Sequence, residues 1–111
     1  MLDPIAGRLE QCMNLLSARQ RLVASNIANA DTPGYKTTDI DFQAEMRRWM
    51  DTGPPAVVEA AGLRVKNDGN NVSLDREARL LAENALRFAM ASHLLRAEIR
   101  AVRAAIQEGR S

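Results

Sequence analysis

The C-terminal third of the chain carries an apolar repeat whose spacings alternate between four and three residues. The repeat runs through Leu74, Ala78, Leu81, Ala85, Phe88, Ser92, Leu95, Ile99, Val102 and Ile106. A seven-residue period is shorter than two turns of a straight helix, so it predicts a helix that supercoils gently about a partner helix. At about 1.5 Å per residue the repeat would span roughly 50 Å, which predicts an elongated molecule.

A looser repeat predicts a second long helix at the N-terminus. Its positions are Leu2, Leu9, Leu16, Val23 and Ala30, flanked by Ile5, Cys12, Met13 and Ile27. Arg19 and Asn26 continue the heptad positions of Ile5 and Cys12. Either these polar residues fix register or oligomeric state, or Arg19 lies at the edge of the seam with its charge in solvent. Pro33 and Gly34 suit the centre of a type II turn, so we expect the helix to end near Ala30 or Asp31.

The middle of the chain predicts short elements. Asp39 or Asp41 could cap a short amphipathic helix with one apolar face, formed by Phe42, Met46, Trp49 and Met50. Residues 56–71 contain Val57 and Val58, then Leu63 and Val65 alternating with charged residues, then a run of turn residues, which indicates a small β-hairpin or a loop. The sequence therefore predicts a mainly α fold in which two long terminal helices form an antiparallel, coiled-coil-like pair. We divide it into an N-terminal core helix (1–31), a turn, short helix and exposed loop or hairpin region (32–71), and a C-terminal core helix (72–111).

Composition excludes several classes of function. The 111 residues suffice for one domain, and fifteen basic against fourteen acidic residues give a net charge of +1. This balance removes the electrostatic case for a nucleic-acid or anionic-membrane binder. The first twenty residues are interrupted by charges and contain no signal-peptide core, and no stretch approaches a membrane span. We expect no nucleic-acid partner, no direct membrane insertion and, if the chain is exported, no cleaved signal.

The residues that could carry chemistry are few and scattered. Cys12 lies among apolar helix positions, where a thiol usually acts as a small hydrophobic group, and His93 lies in the long C-terminal helix without a convincing partner. Asp39 and Asp41 lack a third ligand at a loop position, and the glycines match no nucleotide-binding spacing. We expect no catalytic residues, no cofactor and no metal.

The segment SNIANADTPGYK, residues 25–36, closely resembles the N-terminal signature of flagellar rod and hook proteins. A second segment, DGNNVSLDRE at residues 68–77, resembles the opening of the C-terminal helix in the proximal-rod branch of that family, and Ile40, Asp41 and Phe42 agree with the same branch. The first motif and its turn comprise Asn26, Asn29, Asp31, Thr32, Pro33, Gly34 and Tyr35. The second comprises Asp68, Gly69, Asn70, Asn71, Val72, Leu74 and Asp75.

Two features depart from the family pattern. Phe88 stands where this branch tends to carry a tyrosine, a change that an aromatic side chain tolerates. The middle of the chain is shorter than this branch leads one to expect, so we expect the exposed region between the helices to be reduced to a loop or hairpin.

This resemblance implies a structural subunit of the proximal rod of the flagellar basal body, exported from the cytoplasm by the flagellar type III apparatus and transmitting torque in the periplasm. The implied partners are copies of the same chain, other proximal rod proteins, the rod adaptor protein and the export gate. The terminal helices would form the inner tube of the rod. Their assembly seam would comprise Leu9, Leu16, Val23, Ile27, Leu74, Leu81, Phe88, Leu95, Ile99, Val102 and Ile106. The alternatives are a coiled-coil adaptor or chaperone of the same export system, or a rod component at another axial level.

Overall fold

A computed structural model describes residues 3–48 and 53–110. Helix α1 spans Pro4–Ala28, strand β1 Thr38–Ile40, helix α2 Phe42–Arg47, strand β2 Val57–Glu59 and helix α3 Leu74–Arg110. The predicted fold class is confirmed: two long helices pack together, and a short helix and a small sheet lie between them in sequence. Trp49 and Met50, assigned from sequence to the apolar face of the short helix, lie outside the described residues, as does Leu2 of the N-terminal repeat.

Each helix begins at a residue whose side chain caps it. The Asp3 carboxylate accepts a hydrogen bond from the Ile5 amide at 3.0 Å, and Pro4 occupies the first turn, where its missing N–H costs nothing. Of the two candidates for capping α2, Asp41 does so, accepting from the Ala44 amide at 3.1 Å. The Ser73 hydroxyl accepts from the Arg76 amide at 3.2 Å at the start of α3.

Helices α1 and α3 run antiparallel, as predicted. Asn26 bonds Glu77 near one end of the pair, and Gln20 bonds Asn84 further along. Towards the other end, Leu9 and Cys12 line a groove together with Ala91 of α3. The core of the described residues is thin, because its buried apolar residues are few and mostly small or medium-sized. They are Leu15, Leu16, Ala18, Val23, Ile40, Val72 and Ala91.

The two long helices differ in length, so α3 extends past the start of α1. Helix α1 has 25 residues and α3 has 37, and the Asp3 carboxyl at the head of α1 faces Glu98. The part of α3 that follows Glu98 therefore projects beyond the described start of α1, by roughly 18 Å at 1.5 Å per residue. The molecule measures 70 × 25 × 18 Å with a radius of gyration of 18.1 Å, against roughly 13 Å for a compact domain of this length. The predicted elongation is confirmed.

The small sheet joins two segments that flank α2. Strand β2 pairs antiparallel with β1, with Thr38 opposite Glu59 and Ile40 opposite Val57. The sequence indicated a hairpin or a loop within 56–71, whereas β2 takes its partner from before α2 and the chain after it forms a loop. Helix α2 is fixed to the first half of α1, because Arg8 and Gln11 donate hydrogen bonds to the carbonyls of Met46 and Glu45.

Candidate functional site

Most of the buried polar side chains gather where α1 ends, β1 begins and α3 starts. We call this cluster the polar junction. It comprises Arg19, Asn26, Tyr35, Thr37, Thr38, Asp39, Asn70, Asn71, Arg76 and Glu77. Six of these residues are buried, and Asn26, Thr37, Asn70 and Glu77 have no exposed surface at all. Burying so many polar groups is costly unless each finds a partner, so the contacts of the polar junction decide whether this region is stable.

Asn26 is the centre of the polar junction. Its Nδ2 donates to Thr38 O at 2.9 Å and to Glu77 Oε1 at 2.6 Å. Its Oδ1 accepts from Thr38 N at 3.1 Å and from Tyr35 Oη at 3.0 Å. The amide thus bonds both the N–H and the C=O of Thr38, as a neighbouring strand would. One side chain of α1 thereby closes the outer edge of β1.

The chain leaves α1 through the predicted type II turn. The Asn29 amide donates to Ser25 O and Asn26 O, which ends the helix at Ala28, slightly before the predicted boundary. Tyr35 N donates to Thr32 O at 3.2 Å, and Gly34 has a φ of +76°, a conformation that glycine adopts without steric cost. The turn directs Tyr35 back onto Asn26.

The second motif is hydrogen-bonded to this turn. Asn70 Nδ2 donates to Asn29 O at 2.9 Å and to Thr32 O at 2.8 Å, which gives each of these carbonyls of the turn a second hydrogen bond. Gly34 N donates to Asp68 O at 2.9 Å, and a Cβ on Gly69 would lie 3.3 Å from Gly34 Cα. The structure thus brings the two motifs together, although some 35 to 40 residues separate them in sequence.

Asn71 adds a third tie between the motifs. Its Oδ1 accepts from Thr37 N at 2.6 Å, and its own amide donates to Tyr35 O at 3.2 Å. Several motif residues are exposed: Asp31, Thr32, Pro33 and Gly34 in the first motif, and Asp68, Leu74 and Asp75 in the second.

Asp39 holds the charged side of the polar junction together. Arg19 donates to both of its oxygens, at 2.9 and 3.0 Å, and Arg76 bridges Asp39 and Glu77. Burial alone would raise the pKa of Asp39, but hydrogen bonds from Arg19, the Ile40 amide and Arg76 outweigh it and hold the pKa below its ordinary value. Arg19, for which the sequence left two interpretations open, forms a two-bond ion pair and does not leave its charge in solvent.

The helix pair itself contains a polar contact that sequence reasoning missed. Asn84 is 2 % exposed and donates to Gln20 Oε1 at 3.0 Å, while Gln20 donates to Leu81 O at 3.2 Å. Asn84 lies seven residues after Glu77 and seven before Ala91, and these three form the most buried stripe of α3. This stripe has the same period as the predicted seam but lies beside it. It was not predicted, because a repeat of apolar residues does not include the polar Glu77 and Asn84.

The predicted seam residues lie at different depths in the chain. Leu16 and Val23 of α1 are buried, and Leu9 is half-buried. On α3, Leu95 and Val102 are half-buried, while Leu74, Leu81, Phe88, Ile99 and Ile106 are exposed, as is Ile27 of α1. Leu86, Met90 and Leu94 add further exposed apolar surface. Within one chain, α1 covers only part of the apolar surface that the repeat provides.

An elongated pair of helices, with a buried polar junction at one end and exposed apolar stripes along α3, defines a structural assembly protein. Among the described residues, no helix is long and apolar enough to cross a membrane.

Comparison with known proteins agrees with this class. Residues 10–36 match the family model described as flagella basal body rod protein. The chain is 33% identical to the flagellar basal body rod protein FlgB of Escherichia coli K12 over 98% of this chain and 99% of that protein. It is 32% identical to FlgB of Yersinia enterocolitica over 98% of this chain and all of that protein. The chain belongs to the FlgB family of flagellar basal body rod proteins.

Membership of the FlgB family establishes the general function of the chain, which is the function that all members share. The chain is a structural subunit of the proximal rod of the flagellar basal body, where it assembles with itself and with other rod proteins. Both alignments extend over 137 positions, more than the 111 residues of this chain, so those relatives carry residues that this chain lacks.

Proposed function

We propose that this rod subunit assembles through the exposed apolar stripes of its long helices, while the polar junction fixes the direction in which the mid-chain leaves them. The observation that carries the proposal is the exposure of Leu74, Leu81, Phe88, Ile99 and Ile106, which follow one repeat along α3. Burying apolar surface returns about 25 cal/mol per Å², so these side chains gain stability when a neighbouring subunit covers them.

The polar junction has a complementary role in this proposal. Its hydrogen bonds join the end of α1, β1 and the start of α3, so they make the turn and the helix pair into one rigid unit. A rigid subunit passes a rotation to its neighbours with little loss, which suits a shaft that transmits torque. The motif residues Asn26, Asn29, Asp31, Thr32, Pro33, Gly34 and Tyr35 thus serve geometry and not chemistry. We infer that the chain catalyses no reaction.

The proposal extends to the partners at the base of the rod. We infer that the chain is exported by the flagellar type III apparatus and contacts the rod adaptor protein and the export gate as well as other rod proteins. Support for these partners comes from the family resemblance. The alternatives, an export adaptor or chaperone and a rod component at another axial level, predict different locations for the chain and are separated by the same experiment.

The experiment uses basal bodies purified from cells that carry tagged variants. Ile106 is 52% exposed and lies on the part of α3 beyond α1, so Ile106→Asp leaves the helix pair of the chain intact. We expect this variant to be expressed but lost from basal bodies, because a buried carboxylate opposes assembly. Gln107→Asp adds the same charge to the next, exposed position and is the matched control; it should be incorporated.

Each possible outcome has a distinct meaning. Normal incorporation of Ile106→Asp would contradict the role of the exposed stripe. A wild-type chain found with export substrates and missing from basal bodies would favour the adaptor or chaperone. The axial position of its density separates a proximal rod subunit from a component at another level.

A further inference from the structure

The small sheet has one closed edge and one open edge. The outer edge of β1 is occupied by the Asn26 amide, which bonds Thr38 N and Thr38 O. Ala60 N donates to Thr37 O at 2.9 Å, which places the hydrogen bonds of this antiparallel ladder at Thr37–Ala60 and Asp39–Val58. The backbone groups of Val57 and Glu59 therefore point away from β1. Within the described residues, β1 is the only strand that pairs with β2.

The side chains on the open strand are also exposed. Val57 is 56% exposed and Val58 is 45% exposed, and Glu59 is exposed beside them. An edge strand with free backbone groups and apolar side chains is a template for another strand. Natural sheets usually protect such an edge, and within residues 3–48 and 53–110 only the β1 side is protected.

A short extended segment of the same chain has the complementary character. Residues 63–66, Leu-Arg-Val-Lys, alternate apolar and basic side chains, and Arg64, Val65 and Lys66 are exposed. Among the described residues, Leu63, Arg64 and Val65 form no backbone hydrogen bonds, whereas Lys66 N donates to Asn70 O at 2.8 Å and Lys66 O accepts from Gly69 N at 2.9 Å. The alternation puts Leu63 and Val65 on one side and the two basic residues on the other.

We propose that β2 of one subunit pairs with residues 63–66 of a second copy of the chain, extending the sheet from subunit to subunit. This inference rests on the assembly of the chain with itself. The strands are placed parallel, because an antiparallel pair would need the backbone N–H and C=O of Lys66, which already bond Asn70 O and Gly69 N. With Val58 opposite Val65, Glu59 lies opposite Lys66. This arrangement pairs valine with valine on one face and a carboxylate with a cation on the other.

This contact joins two different surfaces, one on each subunit. A heterologous contact of this kind can repeat without closing, so it suits a rod, whereas a two-fold β2–β2 contact would end after one pair. It would also bring Glu59 of each copy beside the valines of the other, with no basic partner.

Disulfide formation between copies tests the proposed register. Two tagged variants, Val58→Cys and Val65→Cys, each in a Cys12→Ser background, are expressed together and oxidised in purified basal bodies. Neighbouring strands lie about 4.8 Å apart, so residues directly opposite each other have Cα atoms within the range that a disulfide spans. We expect the yield of the mixed disulfide to be about tenfold higher than for the control pair Val57→Cys with Val65→Cys, because Val57 points to the opposite face.

Charge reversal gives a second measurement that does not depend on cysteine chemistry. Glu59→Lys alone, or Arg64→Glu with Lys66→Glu, should lower incorporation roughly two- to fivefold, the effect expected of an exposed ion pair. Combining the three substitutions in one chain should restore it. Glu10→Lys, an exposed change on α1, is the control and should leave incorporation unchanged.

The results separate this contact from the assembly proposal. Equal yields from the two cysteine pairs, a predominant Val58→Cys homodimer, a disulfide to a different protein, or charge reversals without effect would each overturn the strand contact. If these variants are incorporated normally, the subunit assembles in the rod without it. Loss of the unmodified chain from basal bodies would instead refute the assembly proposal.

Discussion

Asn26→Ala is expected to lower the free energy of unfolding by about 3 to 5 kcal/mol. The substitution leaves the part-buried Thr38 N and Thr38 O and the buried Glu77 Oε1 without the partner that they have in the structure. Each such group costs about 1 to 3 kcal/mol. Water entering the space of the lost amide recovers part of this cost, and the better helix propensity of alanine returns about 0.7 kcal/mol at most. The remainder is a large part of a typical stability of about 5 to 15 kcal/mol.

The matched control is Asn14→Ala, which changes the same residue type at an exposed position of the same helix. Urea denaturation followed by circular dichroism at 222 nm compares the two variants. Hydrogen exchange provides a local test, because the Thr38 amide should lose protection in Asn26→Ala while the Ala60 amide, bonded to Thr37 O, keeps more of it. A stability difference between the two variants below about 1 kcal/mol would refute the central role of Asn26.

Three further predictions concern the charged side of the polar junction and the motif glycines Gly34 and Gly69. The lowered pKa of Asp39 stabilises the fold at pH values above the ordinary aspartate pKa of about 3.9, and this stability is lost as pH falls towards the folded-state pKa. In urea denaturation between about pH 5 and 3, Asp39→Asn should therefore lose less stability with falling pH than the wild-type chain. The exposed change Asp31→Asn should not reduce this loss. Gly69→Ala should lower the free energy of unfolding, measured by urea denaturation, more than Gly34→Ala does. Both positions have positive φ, but only at Gly69 would the added Cβ meet backbone, 3.3 Å away. Equal losses of stability would show that this contact is unimportant. Gly34→Val should block rod assembly while leaving expression intact, and motility in a swimming assay would refute this prediction.

The long elements could be predicted because their signals are local and repeated. The heptad pattern of α3, the Pro33–Gly34 turn and a cap at Asp39 or Asp41 each follow from a few neighbouring residues. The sheet was harder to predict, because β1 and β2 have three residues each and are separated by α2. No periodicity spans so short a strand, and nothing local specifies that Val57 pairs with Ile40.

Only part of the polar junction could be predicted from the sequence. The motif predicted that Asn26 and Gly34 matter, but the partner of Asn26 on α3, Glu77, is far away in sequence. Asn84 was missed because a search for apolar positions passes over a buried asparagine, and its partner Gln20 also appears as an ordinary helix-surface residue. Buried polar pairs are specified jointly by two distant positions, so a single chain read in order does not reveal them.

The unequal length of the two helices gives the molecule a direction. At one end the polar junction ties α1, β1 and α3 together, and at the other end, within the described residues, α3 continues alone past Glu98. A subunit with two matching ends could be added to a growing structure either way up. This one offers an incoming neighbour a bare helix at one end and a folded turn at the other, so copies added in the same sense repeat the same contact and an inverted copy does not. The twelve residues by which α3 exceeds α1 in length therefore give the subunit two unlike ends.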